Sequence, residues 1–312
     1  MAAKNHRTMI GGQAVIEGVM MRGAKVASMA VRAPDGTITT DIWETVSAKD
    51  KLAFLKLPFL RGIVNFVEML VFGTKCLMRS ADISMPQEEE EPAVDPAEKA
   101  KRDKTQNALT GFSFLIGIVI AVGLFIVLPA TIVNFMKGAL DSSGVGWIKT
   151  LLEGLIRIVI FIGYLAAISQ MKDIQRVFQY HGAEHKSIFC YEHGDELIVE
   201  NARKCGRLHP RCGTSFLLIV LIVSILVFSF VTWNVIYLRI LLHVLLLPLV
   251  VGISYEIIRF AGRHDTSAMR FLLAPGLWLQ KLTTREPDDG QIEVALTALK
   301  AVLTGNREDD KW

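Results

Sequence analysis

The chain has 312 residues, 51% of them hydrophobic, with a formal net charge of +3 and a mean hydropathy of +0.38. It is too apolar for an ordinary soluble enzyme, so lipid should be the solvent for much of it. The polar parts carry no dense Lys/Arg stripe with interleaved aromatics, which argues against nucleic-acid binding.

Met1 to Thr8 lack the apolar core and small-residue cleavage site of a secretory signal, so insertion is expected to rely on internal spans. Residues 1–46 read as a small β unit. Alternating stretches at 14–20, 26–32 and 37–45, separated by Gly23 and by Pro34-Asp35-Gly36, predict a three-strand meander. The glycines of Gly11-Gly12-Gln13-Ala14-Val15-Ile16-Glu17-Gly18 surround one carboxylate, Glu17, without forming the GxGxxG of a nucleotide site.

Residues 47–80 begin with a capping-box pattern at Ser47 to Asp50 and continue as an amphipathic segment. There Arg61, Glu68 and Lys75 recur every seven residues and would align along one stripe, at the membrane surface or against a helix bundle. Residues 81–107, with Glu88 to Glu91, read as a solvated linker.

Four transmembrane helices follow from the apolar runs. Residues 108–171 form a hairpin of spans 108–136 and 151–171, the second carrying Glu153 and Arg157 at pairing distance. Residues 216–258 form another, of spans 216–238 and 240–258, the last holding His243 and Glu256. Cations crowd the segment before the first span, the polar loop 172–215 and the segment after the last, so both termini and this loop are expected in the cytoplasm. A reducing compartment leaves thiols free for metal or redox roles. Residues 259–312 read as an interfacial segment around Trp278, then a helix beginning near Asp288 with Ile292, Ala295, Leu296 and Leu299 on one face.

The loop 172–215 holds His181, His185, Cys190, His193, Cys205, His209 and Cys212. Its densest piece, His181-Gly182-Ala183-Glu184-His185, is an HxxEH pattern. On a helix both imidazoles share a face, and Glu184 stands ready to orient or deprotonate a metal-polarised water. Two histidines make two ligands where a catalytic zinc has three, so another part of the fold must complete the set. His209 and Cys212 are candidates, and Glu17 is a further one. Glu256 is a candidate ligand or orienter of a histidine, against the plainer reading of an ion pair with Arg259. Cys190, Cys205 and His193 lack any paired ligand spacing, and Cys76 reads as packing.

The blocks GGQAVIEGVMMRG (residues 11–23), YHGAEHK (180–186), RLHPRCGTSF (207–216) and APGLWLQKLTTREPDD (274–289) resemble the YqhQ-like family of bacterial membrane proteins. The resemblance implies an inner-membrane protein with a metal site at His181, Glu184, His185 and His209, and supplies no substrate. The reading is therefore a mainly α membrane protein with a cytoplasmic head. Its expected function is a metal-dependent hydrolase with Glu184 as general base, acting on a small-molecule, lipid or peptide substrate. Zinc is the expected ion, although manganese and iron also suit such ligands. The alternative is a scaffold or accessory factor for other membrane proteins, with a structural site closed by His181, His185, His209 and Cys212.

Overall fold

The computed structural model describes residues 6–85, 96–136, 146–230, 236–264, 266–306 and 309–310; Glu88 to Glu91 of the expected linker lie outside them. The N-terminal unit is an antiparallel sheet of β1 (Gly11–Val15), β2 (Gly18–Arg22), β3 (Val26–Arg32) and β4 (Ile38–Glu44), paired in that order. The expected meander thus has four strands rather than three. The apolar run 14–20 folds back at Ile16-Glu17, where Glu17 takes a left-handed backbone with φ of 52°. That turn lacks the Asn-Gly or Asp-Gly signature that would have announced a hairpin.

Both faces of the sheet are covered, which explains why β2 and β3 are almost continuously apolar. Val15, Met20, Met29 and Val31 pack with Cys76 of α1 (Leu60–Ser84). Val19, Met21 and Ala30 pack on the opposite side with Tyr180, Ala183, Ile292 and Leu299. The first two of these belong to α5 (Lys172–His193), the others to α10 (Asp289–Val302). A reciprocal capping box between Asp288 and Gln291 starts α10.

Helix α1 fills the role expected of an amphipathic element against the bundle. Arg61 donates its Nε to Glu256 at 2.7 Å, Asn65 donates to the Tyr255 hydroxyl at 2.7 Å, and Glu68 accepts from Arg22 at 3.0 Å. Arg61 and Glu68 of its expected stripe thus tie it to α8 (Ile236–Arg263) and to the sheet, while Lys75 is exposed.

The apolar helices are α2 (Pro96–Val122), which passes through a π turn at Gly123–Val127 into α3 (Leu128–Phe135), then α4 (Gly146–Ile168) and α8. Among the described residues, Gly111–Phe135, Leu151–Ile168 and Leu241–Arg263 are long and apolar enough to cross a membrane. In place of an expected span over 216–238 stands α7 (Gly213–Ser229), 17 residues and therefore about 25 Å long at 1.5 Å per residue. Residues 231–235 of that expected span lie outside the described residues. Glu153 and Arg157 pair at 3.1 Å, and Arg157 also donates to the Phe125 carbonyl inside the π turn at 2.8 Å. A short helix, α6 (Val199–Lys204), and a longer one, α9 (Ser267–Thr283), complete the fold.

Candidate metal centre

Helix α5 carries the HxxEH pattern on its inward face, with His185 and Glu184 buried and His181 partly so. His181 Nδ1 lies 2.8 Å from the Thr283 carbonyl, and His185 Nδ1 lies 2.5 Å from the Arg207 carbonyl. A carbonyl can only accept, so each Nδ1 carries the proton and each Nε2 of a neutral ring presents a lone pair. The two imidazoles share a site with the Cys212 sulfur: one nitrogen of each ring and Cys212 Sγ lie within 4.8 Å of one another, with His181 Nε2 only 3.1 Å from the sulfur. His185 Nε2 is buried without a hydrogen-bond partner.

Backbone carbonyls behind ring nitrogens are the usual second support of metal-binding histidines, and here those carbonyls are themselves fixed. Arg207 Nη1 donates to the Thr284 carbonyl at 2.9 Å, so the two supporting segments are tied to each other. The buried Lys186 donates to the carbonyls of Arg203 and Cys205, each at 2.9 Å, and pairs with Glu286 at 2.7 Å. Gly182 explains how segment 283–287 comes so close. A Cβ there would stand 2.1 Å from the Arg285 carbonyl oxygen, whose residue donates its N–H to Phe178 O at 2.8 Å. The small residue of the HxxEH segment therefore lets the 283–287 backbone lie directly against the helix, beside His181.

Cys212 reaches the site as the N-cap of α7, its sulfur accepting from Thr214 N at 3.4 Å. A helix N-terminus tolerates an anionic atom well. Glu184 lies on the other side, its Oε2 4.0 Å from His181 Nε2. Burial holds its carboxyl above the usual carboxylate range, opposed by His181 and by the Gly12 N–H. Gly12 belongs to β1, and a Cβ there would stand 3.0 Å from the Glu184 carboxyl carbon and 2.6 Å from Met20 O. Part of the glycine-rich block near the N-terminus thus serves to bring the sheet onto this glutamate.

The remaining candidates go elsewhere. His209 Nε2 lies 3.5 Å from Glu192 Oε2, and its ring centroid is 5.6 Å from that of His185. Burial pushes the His209 imidazole down to about 4, with Glu192 opposing. Glu192 is raised by burial but ends below its usual range through His209, Arg211 and Thr8, accepting from Arg211 at 2.5 and 2.7 Å. Glu17 is held by Arg176, at 2.5 Å from its Nη2, and by the Tyr180 hydroxyl at 3.2 Å. Glu256 is gripped by Arg61 rather than Arg259. A second group, Cys190, Asp195 and Cys205, also places its ligand atoms within 4.8 Å of one another, which the sequence spacing did not suggest. Burial raises both thiols there, Cys190 to about 12.

Comparison with known proteins adds identity and no activity. The family described as "Protein of unknown function (DUF1385)" matches residues 57–305. The "Uncharacterized protein YqhQ" of Bacillus subtilis (strain 168) is 36% identical over 302 residues, covering 94% of this chain and 92% of that protein. No solved structure matches.

Proposed function

The chain belongs to the DUF1385 family and is YqhQ-like, and from that premise we propose that it is a metal-dependent hydrolase of the bacterial inner membrane, with His181, His185 and Cys212 as ligands. The observation that carries this reading is the gathering of a nitrogen from each of His181 and His185 with the Cys212 sulfur within 4.8 Å of one another, while His185 Nε2 is buried and unpartnered. A buried acceptor left unsatisfied is costly, and a divalent cation relieves that cost. Two nitrogens and one sulfur suit zinc, and three protein ligands leave a fourth position for water.

The ion would supply Lewis acidity and make water a stronger acid. Glu184 is within reach to take the proton of the attacking water and return it to the leaving group. A closed structural site would need His209 as fourth ligand, and the contact of His209 with Glu192 favours the open set. Both termini and the head would face the cytoplasm, beneath four spans, with the bilayer as partner. The substrate would be a peptide, a lipid headgroup or a phosphoester.

Elemental analysis of the full-length protein beside a His181→Ala/His185→Ala variant tests the ligands. About one equivalent of zinc in the native chain and under a tenth of that in the variant are expected. Glu184→Gln should keep the metal and lose about 100-fold or more of turnover on ester, phosphodiester or peptide reporters. Equal metal in native and double-variant protein would remove the ligand assignment, and full turnover in Glu184→Gln would remove the base.

A further inference from the structure

Just ahead of α1, outside the long apolar helices, five large apolar side chains crowd one short stretch. Leu52, Phe54, Leu57, Phe59 and Leu60 are all exposed, Phe54 and Leu57 by 56% each. Contiguous apolar surface of this kind marks a place of interaction. The backbone beneath it is arranged for a poorly hydrated medium. Around a single 3₁₀ turn at Ala53–Lys56, the N–H groups of Leu55, Leu57, Leu60 and Arg61 bond to the carbonyls of Leu52, Phe54, Pro58 and Leu57 at 2.9–3.1 Å. Pro58 has no N–H to satisfy. Local pairing of backbone groups is what an apolar medium demands.

Helix α8 identifies that medium. Phe59 takes a left-handed backbone with φ of 67°, a strained conformation for an aromatic residue, and the pair of Arg61 with Glu256 fixes the chain beside it. The strain seats Phe59 on Gly252, where a Cβ would stand 3.0 Å from both the Cβ and the carbonyl oxygen of Phe59. Gly252 lies seven residues past Leu245 and three past Leu249, so the three share one stripe. Both leucines are exposed, on a helix long and apolar enough to cross a membrane. Phe59 therefore extends the outer surface of that helix, and the patch around it meets the same solvent. Leu60, Val67, Leu70 and Val71, exposed at helical spacing, carry the surface along α1. Lys51 and Lys56, exposed in the same stretch, have stems long enough to keep their charge among headgroups.

We propose that residues 52–60 and the exposed face of α1 are immersed in one leaflet of the bilayer, with phospholipid acyl chains as their partner. This rests on the reading of α8 as a span and is independent of the metal centre. The test reconstitutes the full-length protein in phosphatidylcholine vesicles, with an environment-sensitive fluorophore on one introduced cysteine at a time: Leu57→Cys, Val71→Cys, Ile118→Cys or Ile42→Cys. All four positions are exposed, and the unsubstituted chain, with Cys76, Cys190 and Cys212 buried, sets the background. Ile42 is the water control, because it pairs with Ser28, whose hydroxyl donates to Ala298 O of α10 on the sheet face away from α1. Doxyl-labelled lipid should quench the Leu57 and Val71 labels about threefold or more beyond the Ile42 label, and aqueous iodide should reverse that order. Ile118, in the first apolar helix, separates the two readings. An Ile118 label open to iodide removes the membrane reading, and this proposal with it. An Ile118 label in lipid beside a Leu57 label as open to iodide as Ile42 overturns this proposal alone. So does a Leu57 label shielded from both quenchers, the result that a second copy of the chain on this face would give.

Discussion

The head and the first apolar hairpin obey the same hydrophobic rule and end in opposite states. In the head, Val15, Met20 and Met29 are 0% exposed between a sheet and its helices. Along Gly111–Phe135, Ile118 and Val119 are 60% and 63% exposed. Water would penalise such a surface heavily at about 25 cal/mol per Å², and the length and composition of these helices suggest membrane association as the way that cost is met. The contrast also locates precision. Close backbone approaches such as Gly12 to Glu184 and Gly182 to Arg285 occur in the head and recur at Gly154 against Ile225 in the second helix of the hairpin, whereas Gly111, Gly117 and Gly123 of the first meet nothing within 4 Å; a binding centre needs such rigidity.

The sharpest way to break this contrast is one methyl group. Gly182→Ala should cost about 1–3 kcal/mol in unfolding experiments, because its Cβ meets a backbone oxygen at 2.1 Å, and should weaken metal binding by displacing Thr283 O from His181. Gly117→Ala meets nothing within 4 Å and should change stability by no more than about 0.5 kcal/mol. Similar costs at both positions would erase the distinction.

A smaller effect concerns pH. Burial raises the Glu68 carboxyl, but hydrogen bonds from Ala48 N, Ser47 and Arg22 outweigh it and bring it below the ordinary 4.5. A depressed carboxylate contributes stability that is present above the ordinary value and lost as pH falls through the folded one. Amide protection factors at residues 47–51, taken relative to the intrinsic rate at each pH, should therefore fall below about pH 4.5, and Glu68→Gln should show the reduced protection at neutral pH. No difference between the two proteins would detach that turn from Glu68.

What was legible in the sequence was whatever rests on local pattern. The HxxEH helix, the Glu153–Arg157 pair and the apolar runs of α2, α4 and α8 follow from spacing along one helix or from unbroken apolar composition. Strands β3 and β4 showed their alternation, whereas the β1–β2 turn was hidden because Glu17 occupies a position usually given to glycine or asparagine. The carbonyls of Thr283 and Arg207 behind the imidazoles could not be foreseen, since backbone atoms carry no residue signature and these lie about a hundred and about twenty positions from their partners. The Arg61–Glu256 pair leaves no local signature because it is long-range, whereas Arg259 stands one helical turn from Glu256 on the same helix.

The proposed centre requires a cysteine sulfur joining two imidazoles one helical turn apart. Loading the full-length protein with cobalt(II) in place of zinc, and recording its absorption spectrum beside that of Cys212→Ser, tests this most directly. We predict tetrahedral cobalt bands with a thiolate-to-metal charge-transfer band in the native chain, and loss of the charge-transfer band in Cys212→Ser. A charge-transfer band that survives in Cys212→Ser, or bound cobalt without one in the native chain, would contradict the centre described.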